Sequence, residues 1–233
     1  MSAAAPRQLV FDLPVRQALG REAFFVAPAN ALALAQIDAW PDWPAGRMAV
    51  AGPAGSGKTH LAHVWAARSG ARVMPAAELP GLDPAGLAAG AALAVEDVDG
   101  LAAMAPAEAR VAEEVLFHVA NRLAGGGSLM VSGGGAPASW SLGLPDLASR
   151  LRTAGVARLE APDDALLAAV LVKLFADRQI AVAPELIGYL LARIDRSFAG
   201  AESVVDRLDR VALSRGRAIT PRLAAEVLRE DEG

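Results

Sequence analysis

The octapeptide Gly52-Pro53-Ala54-Gly55-Ser56-Gly57-Lys58-Thr59 satisfies every fixed position of the pattern G-x-x-x-x-G-K-[ST]. Met48-Ala49-Val50-Ala51 before it reads as a short strand, and the run from His60 to Arg68 puts Leu61, Val64 and Trp65 at helical spacing. A strand, a glycine-rich turn and a helix in that order constrain the fold more than anything else in the chain. Glycines at these positions let consecutive N–H groups face one concavity, and the start of the helix adds the positive end of its dipole. Lys58 can then reach terminal phosphates, and Thr59 can ligate Mg²⁺. The segment is expected to bind a nucleotide, with Gly52, Pro53, Ala54, Gly55, Ser56, Gly57, Lys58 and Thr59 around its phosphates.

Composition narrows the remaining choices. A chain of 233 residues that is 54% hydrophobic can build one large domain, or a medium and a small one. The apolar run Ala165 to Val172 stops at Lys173, far short of the ~18 residues of a membrane span. Residues 1–14 lack the basic start, apolar core and small-residue cleavage site of a secretory signal, so a soluble, cytoplasmic protein is expected. The absence of cysteine excludes disulfides, thiolate metal sites and cysteine nucleophiles. His60 and His63 lie one turn apart without neighbouring carboxylates, so they and His118 read as packing or surface residues rather than metal ligands. The net charge is −4, the only lysines are Lys58 and Lys173, and arginines alternate with acids in Asp206-Arg207-Leu208-Asp209-Arg210. Strong direct binding to duplex DNA is not expected.

The segment Arg7 to Pro14 reads as extended, and a helix is expected from a cap at Asn30 to about Ala39, ahead of a turn at Trp40 to Pro44. A second strand is expected at Ala71 to Met74, then a loop or irregular helix over 80–90. The third strand, Leu93-Ala94-Val95, runs straight into Glu96-Asp97-Val98-Asp99. An acid at the carboxyl end of a parallel strand points into the ligand crevice, near the metal and the attacking water. Glu96 and Asp97 are therefore candidate metal ligands, and Asp97 is also a catalytic candidate; ordinary surface acids in a loop are the other reading. A helix over 107–123, stopped by Gly125-Gly126-Gly127, leads to a fourth strand at Ser128 to Ser132. Strands alternating with helices imply an α/β fold, a parallel sheet between two helical layers. After Ala161 only helices are expected, over 163–177, 184–194, about 200–215 and 221–229, with Pro184 and Pro221 in first turns and Thr220 as a cap. The chain thus divides into an extended segment (1–23), an α/β domain (24–160) and a helical domain (161–233).

A P-loop NTPase core followed by a helical lid resembles the AAA+ proteins, and three further motifs narrow the resemblance to the DnaA branch. Phe25-Val26-Ala27-Pro28-Ala29-Asn30 is similar to the box that encloses adenine there, which implies Phe25, Val26 and Asn30 as contacts to the base. Glu113 to Leu123 resembles the helix before the sensor strand, on which Ser132 would face the nucleotide. Leu142-Gly143-Leu144-Pro145-Asp146-Leu147-Ala148-Ser149-Arg150-Leu151 closely resembles the Hda family of DnaA-related regulators. The resemblance spans nearly the whole chain. It implies ADP or ATP with Mg²⁺ as cofactors, and Arg150 as a guanidinium presented to the nucleotide of an adjacent subunit. Arg152 is a neighbouring alternative, and an ion pair between Arg150 and Asp146 is the competing structural reading. Gln8-Leu9-Val10-Phe11-Asp12-Leu13 looks like that family's sliding-clamp-binding peptide, with Gln8 in a polar subsite and Leu9, Phe11 and Leu13 as apolar anchors. An edge strand folded onto the core is the alternative. DnaA continues into a helix-turn-helix domain, whereas this sequence stops at Gly233.

The departures from the family pattern share a direction. Ser132-Gly133-Gly134-Gly135 supplies only Ser132 as a sensor, Ala199 occupies the position of the lid arginine with Arg196 nearly a turn earlier, and Glu96 stands where aspartate is usual. Such a subunit is suited to hold nucleotide as a structural ligand and is at most a weak ATPase. The function implied is regulation of chromosomal replication initiation: docking on the DNA polymerase III sliding clamp and promoting ATP hydrolysis by DnaA, its regulatory inactivation. A free-standing AAA+ ATPase such as a helicase loader, or a DnaA-like initiation factor, is the alternative. Self-association into a homo-oligomer stays open.

Overall fold

The computed structural model describes residues 26–229, which form two compact units, 26–161 and 162–229. The first is built on a five-stranded, wholly parallel sheet of β1 (Arg47–Ala51), β2 (Arg72–Pro75), β3 (Ala92–Glu96), β4 (Ser128–Gly133) and β5 (Gly155–Arg158), in the order β2-β3-β4-β1-β5. Its helices are α1 (Pro28–Asp38), α2 (Lys58–Ser69), α3 (Pro106–Leu123) and α4 (Pro145–Arg152).

Alternation along the strands explains the layering. Met48, Val50, Ala94, Met130 and Ala157 pack with Leu34 and Ile37 of α1 and Leu61 and Trp65 of α2. Their neighbours Ala49, Leu93, Val95, Leu129 and Val131 point the other way, onto Leu116, Val119 and Leu123 of α3 and Leu147 and Leu151 of α4. Both faces are covered, as a parallel sheet requires. The expected three-layer α/β architecture is observed.

Several details differ from the sequence-based expectation. β5 and α4 were absent from it: β5 completes the edge of the sheet beside β1, and α4 packs on the face that α3 covers. Helix α1 begins at Pro28, so Asn30 is not its cap. Asn30 is instead the third helical residue, and its Oδ1 accepts the Ala27 N–H at 2.8 Å, the reciprocal half of a capping box. The irregular stretch after β2 consists of two 3₁₀ turns, Ala76–Gly81 and Pro84–Gly86.

The second unit consists of α5 (Asp164–Asp177), α6 (Pro184–Leu191), α7 (Phe198–Arg215) and α8 (Pro221–Arg229), around Leu167, Leu171, Phe175, Leu186, Leu190, Val204, Leu208, Leu223 and Val227. Helix α6 stops three residues before the expected Ile194, and α7 starts two earlier than expected, because Ser197 Oγ accepts the Gly200 N–H and caps it there. Asp163 caps α5 in the same way, and Thr220 Oγ accepts from Leu223 at the start of α8. Arg178, after α5, pairs with Asp206 and Asp209 on α7. No helix among the described residues is long and apolar enough to cross a membrane.

Candidate nucleotide site

Strand β1 ends at Ala51 and the chain turns at once into residues 52–57. Gly52 must be glycine, because a Cβ there would lie 2.6 Å from the Leu159 carbonyl oxygen and 2.7 Å from Ser56 Oγ. Gly55 and Gly57 have φ of 69° and 94°, the left-handed region that bends the loop before α2 starts. Lys58 arches back over the loop, its ammonium donating to the carbonyls of Gly52 (3.0 Å) and Pro53 (2.9 Å). Thr59, in the first turn of α2, is exposed, as are Pro53 and Ala54, whereas Ser56 is buried and its hydroxyl has no hydrogen-bond partner among the described residues. A concave loop of small residues at a helix start, with a cation arching over it, can hold a di- or triphosphate.

The carboxyl edge of the sheet completes the site. In register, Val50 of β1 lies opposite Ser132 of β4, and Val95 of β3 opposite Val131, so the ends of β1, β4 and β3 line up side by side. Glu96 is the last residue of β3, and its Oε1 is buried without a partner among the described residues. That Glu96 carboxylate oxygen and the Thr59 hydroxyl are the groups that would hold a divalent cation here, since Mg²⁺ takes few protein ligands beside phosphate and water. Asp97 turns away from the strand with φ 55°, ψ 47°, and it is exposed. Between the two candidate acids, the geometry favours Glu96, whose Oε1 is buried, over the exposed Asp97.

Ser132 Oγ accepts the Asp97 N–H at 3.1 Å, and Asp99 Oδ2 accepts the Gly134 N–H at 2.8 Å. The candidate sensor hydroxyl thus ties the end of β4 to the turn after β3, while its own proton stays available to a ligand. This second duty leaves no signal in the sequence.

Arg150 lies elsewhere. It is near the end of α4, whose chain turns through Thr153 and Ala154 into β5, and β5 starts opposite Met48 at the amino end of β1. Its guanidinium sits over the Phe117 ring, 5.0 Å from the centroid, and among the described residues it has no ion pair, so Asp146 is not its partner. Arg47, the first residue of β1, is close enough to feel it: burial, and then the Arg150 charge, lower the Arg47 pKa. The phosphate loop follows the opposite end of β1, roughly 16 Å away at the rise of a parallel strand. Arg150 therefore cannot serve the phosphates bound by its own loop. Arg152 is exposed and spends its Nε on the Ala148 carbonyl.

Val26 is exposed and Asn30 buried at the start of α1, while Phe25 and the peptide residues Gln8, Leu9, Phe11 and Leu13 lie outside the described residues. Ala199 is exposed in the first turn of α7, and Arg196 pairs with Asp164 of α5. Glu113 is a residue the sequence reading passed over. It stands at a buried position of α3, and an acid on an apolar helix face was the available signal.

The sequence matches no protein-family model. Among solved structures, it is similar to domain III of the replication initiation protein DnaA from Thermotoga maritima, with a TM-score of 0.76, 18% identity, and 94% of this chain and 98% of that one covered. AMPPCP-bound DnaA from Aquifex aeolicus gives a TM-score of 0.64 at 18% identity, covering 84% of this chain and 66% of that one. A variant of Thermotoga maritima RuvB gives 0.62 at 17% identity, covering 79% and 61%. The chain spans about two thirds of the length of these longer DnaA and RuvB chains. At such identities the likeness is one of architecture: the chain has the P-loop AAA+ fold in the form seen in domain III of DnaA.

Proposed function

We propose that this protein binds ADP or ATP with Mg²⁺ through Gly52 to Thr59 and Glu96, and presents Arg150 to the nucleotide of a neighbouring subunit. The neighbour is ATP-bound DnaA, and the outcome is hydrolysis on the initiator, which down-regulates replication initiation. The peptide from Gln8 to Leu13 docks the protein on the DNA polymerase III sliding clamp. The observation that carries this reading is the position of Arg150: a guanidinium with no ion pair among the described residues, stacked on Phe117, at the opposite end of β1 from its own phosphate loop. A cation held there stabilises phosphate charge only in trans, where an arginine is worth about 10³- to 10⁵-fold in rate. The weak likeness of the sensor and lid positions to the AAA+ pattern supports a subunit that keeps its own nucleotide as a structural ligand.

The test mixes the purified protein with ATP-loaded DnaA and clamp assembled on DNA. Arg150→Ala should remain on the clamp and lose stimulated hydrolysis by about 10³-fold; Gln8→Ala should leave the clamp. Undiminished stimulation in both variants would sink the reading. A free-standing ATPase is the second reading, favoured by the buried Glu96 Oε1, unpartnered among the described residues. It requires the isolated protein to turn over ATP at a motor-like rate and Glu96→Gln to abolish that rate.

A further inference from the structure

Glu113 is only 5% exposed, on the apolar stripe of α3 that also carries Ala112, Leu116 and Ala120. Burying a carboxylate is unfavourable unless its oxygens are fully engaged. Here both are engaged by backbone: Oε1 accepts the Gly143 N–H at 2.9 Å and Oε2 the Leu144 N–H at 2.6 Å. Leu144 is the cap position of α4 and offers no side-chain cap of its own, so the acid from α3 does that work, beside the positive end of the α4 dipole. One turn further along α3, Phe117 carries Arg150 from the far end of α4. Residues four apart on a helix are about 5–6 Å from each other. Two neighbouring side chains of α3 therefore hold both ends of α4.

We propose that Glu113 is a positioning residue for Arg150: by fixing where α4 begins against α3, it fixes where the guanidinium is presented. This rests on the reading of Arg150 as the arginine that acts in trans. An acid is needed because both contacts are N–H donors. A glutamine of the same shape accepts from one of them and turns its own NH₂ against the other.

Two measurements on the full-length protein test this. The first needs no partner: the Arg150 Nε–H resonance, displaced by the ring current of Phe117, is compared between wild type and Glu113→Gln. It should move toward the position of a freely exposed arginine, and an unmoved resonance overturns the proposal. The second follows stimulated hydrolysis by ATP-loaded DnaA. Glu113→Gln should lower the maximal rate about tenfold at an unchanged half-saturating concentration, and add nothing in an Arg150→Ala background. Equal losses in both backgrounds would mean a general structural effect and overturn the proposal. If Arg150→Ala itself has no effect, the proposed function fails, and the resonance alone decides whether Glu113 positions the guanidinium. Glu113→Asp, with the charge kept and the reach shortened, provides the same comparisons should the glutamine variant fold poorly.

Discussion

At the scale of single residues, three different neighbours account for the glycines after Ser132: the Trp140 ring crowds a Cβ on Gly133, Asp99 Oδ2 one on Gly134 (2.8 Å) and Ser139 Oγ one on Gly135 (2.7 Å). A Cβ on Gly133 would lie 2.6 Å from the Trp140 ring, Gly135 accepts the indole N–H through its carbonyl at 2.9 Å, and Gly134 donates to Asp99. The run that looks in sequence like missing sensor chemistry is also a packing solution. Gly133→Ala should therefore cost about 1–3 kcal/mol through overpacking, read from the midpoint of urea unfolding, since the rigid indole has little room to move. The phosphate loop was legible residue by residue because its chemistry dictates both residue type and spacing. The tie from Ser132 to Asp97 and the grip of Glu113 on Gly143 and Leu144 were not, since each joins positions about 30 residues or more apart and depends on the fold being formed.

Length alone did not decide which elements were legible: β2 and β5 have four residues each and α4 and α6 eight each, yet only β2 and α6 were read from sequence. β1, β3, β4, α3 and the four helices after residue 161 carry patterns long enough, or flanks distinctive enough, to be read from sequence. β5 is four residues long, with only Ala157 fully buried among them, and its pairing with β1 is what makes it a strand. Helix α4 shows only Leu147, Ala148 and Leu151 as apolar positions over eight residues, whereas α6, equally short, carries the denser run Leu186, Ile187, Leu190 and Leu191. The junction of α7 and α8 makes a prediction about acidity. The hydrogen bond from Arg217, and then the charges of Arg217, Arg222 and Arg215, hold the Glu226 carboxyl below the usual carboxylate range. A depressed carboxylate contributes stability that is complete above its unfolded pKa of about 4.3 and is lost as pH falls through the folded value. Thermal unfolding should show wild type above Glu226→Gln at neutral pH, with the gap closing on acidification. The gap should be small and shrink in salt, because the cluster is exposed.

At the scale of the whole molecule, a net charge of −4 with interspersed arginines argues that any hold on duplex DNA is weak. Anisotropy titrations with labelled duplex should find little binding and a shallow salt slope. Tight binding that fell by about a thousandfold or more between 50 and 200 mM salt would favour a DNA-tethered initiator instead. The separation of the phosphate loop and Arg150 by the length of β1 has another consequence. A contact that brings one subunit's arginine to another's phosphates joins unlike surfaces, so it is heterologous and gives the assembly a direction. In any open row of such subunits, one terminus shows an arginine with nothing to act on and the other a phosphate loop that no arginine reaches. On the proposed role of Arg150, stoichiometry has a built-in asymmetry: a single copy added at the correct terminus would act on its neighbour, and the same copy added at the other terminus would not.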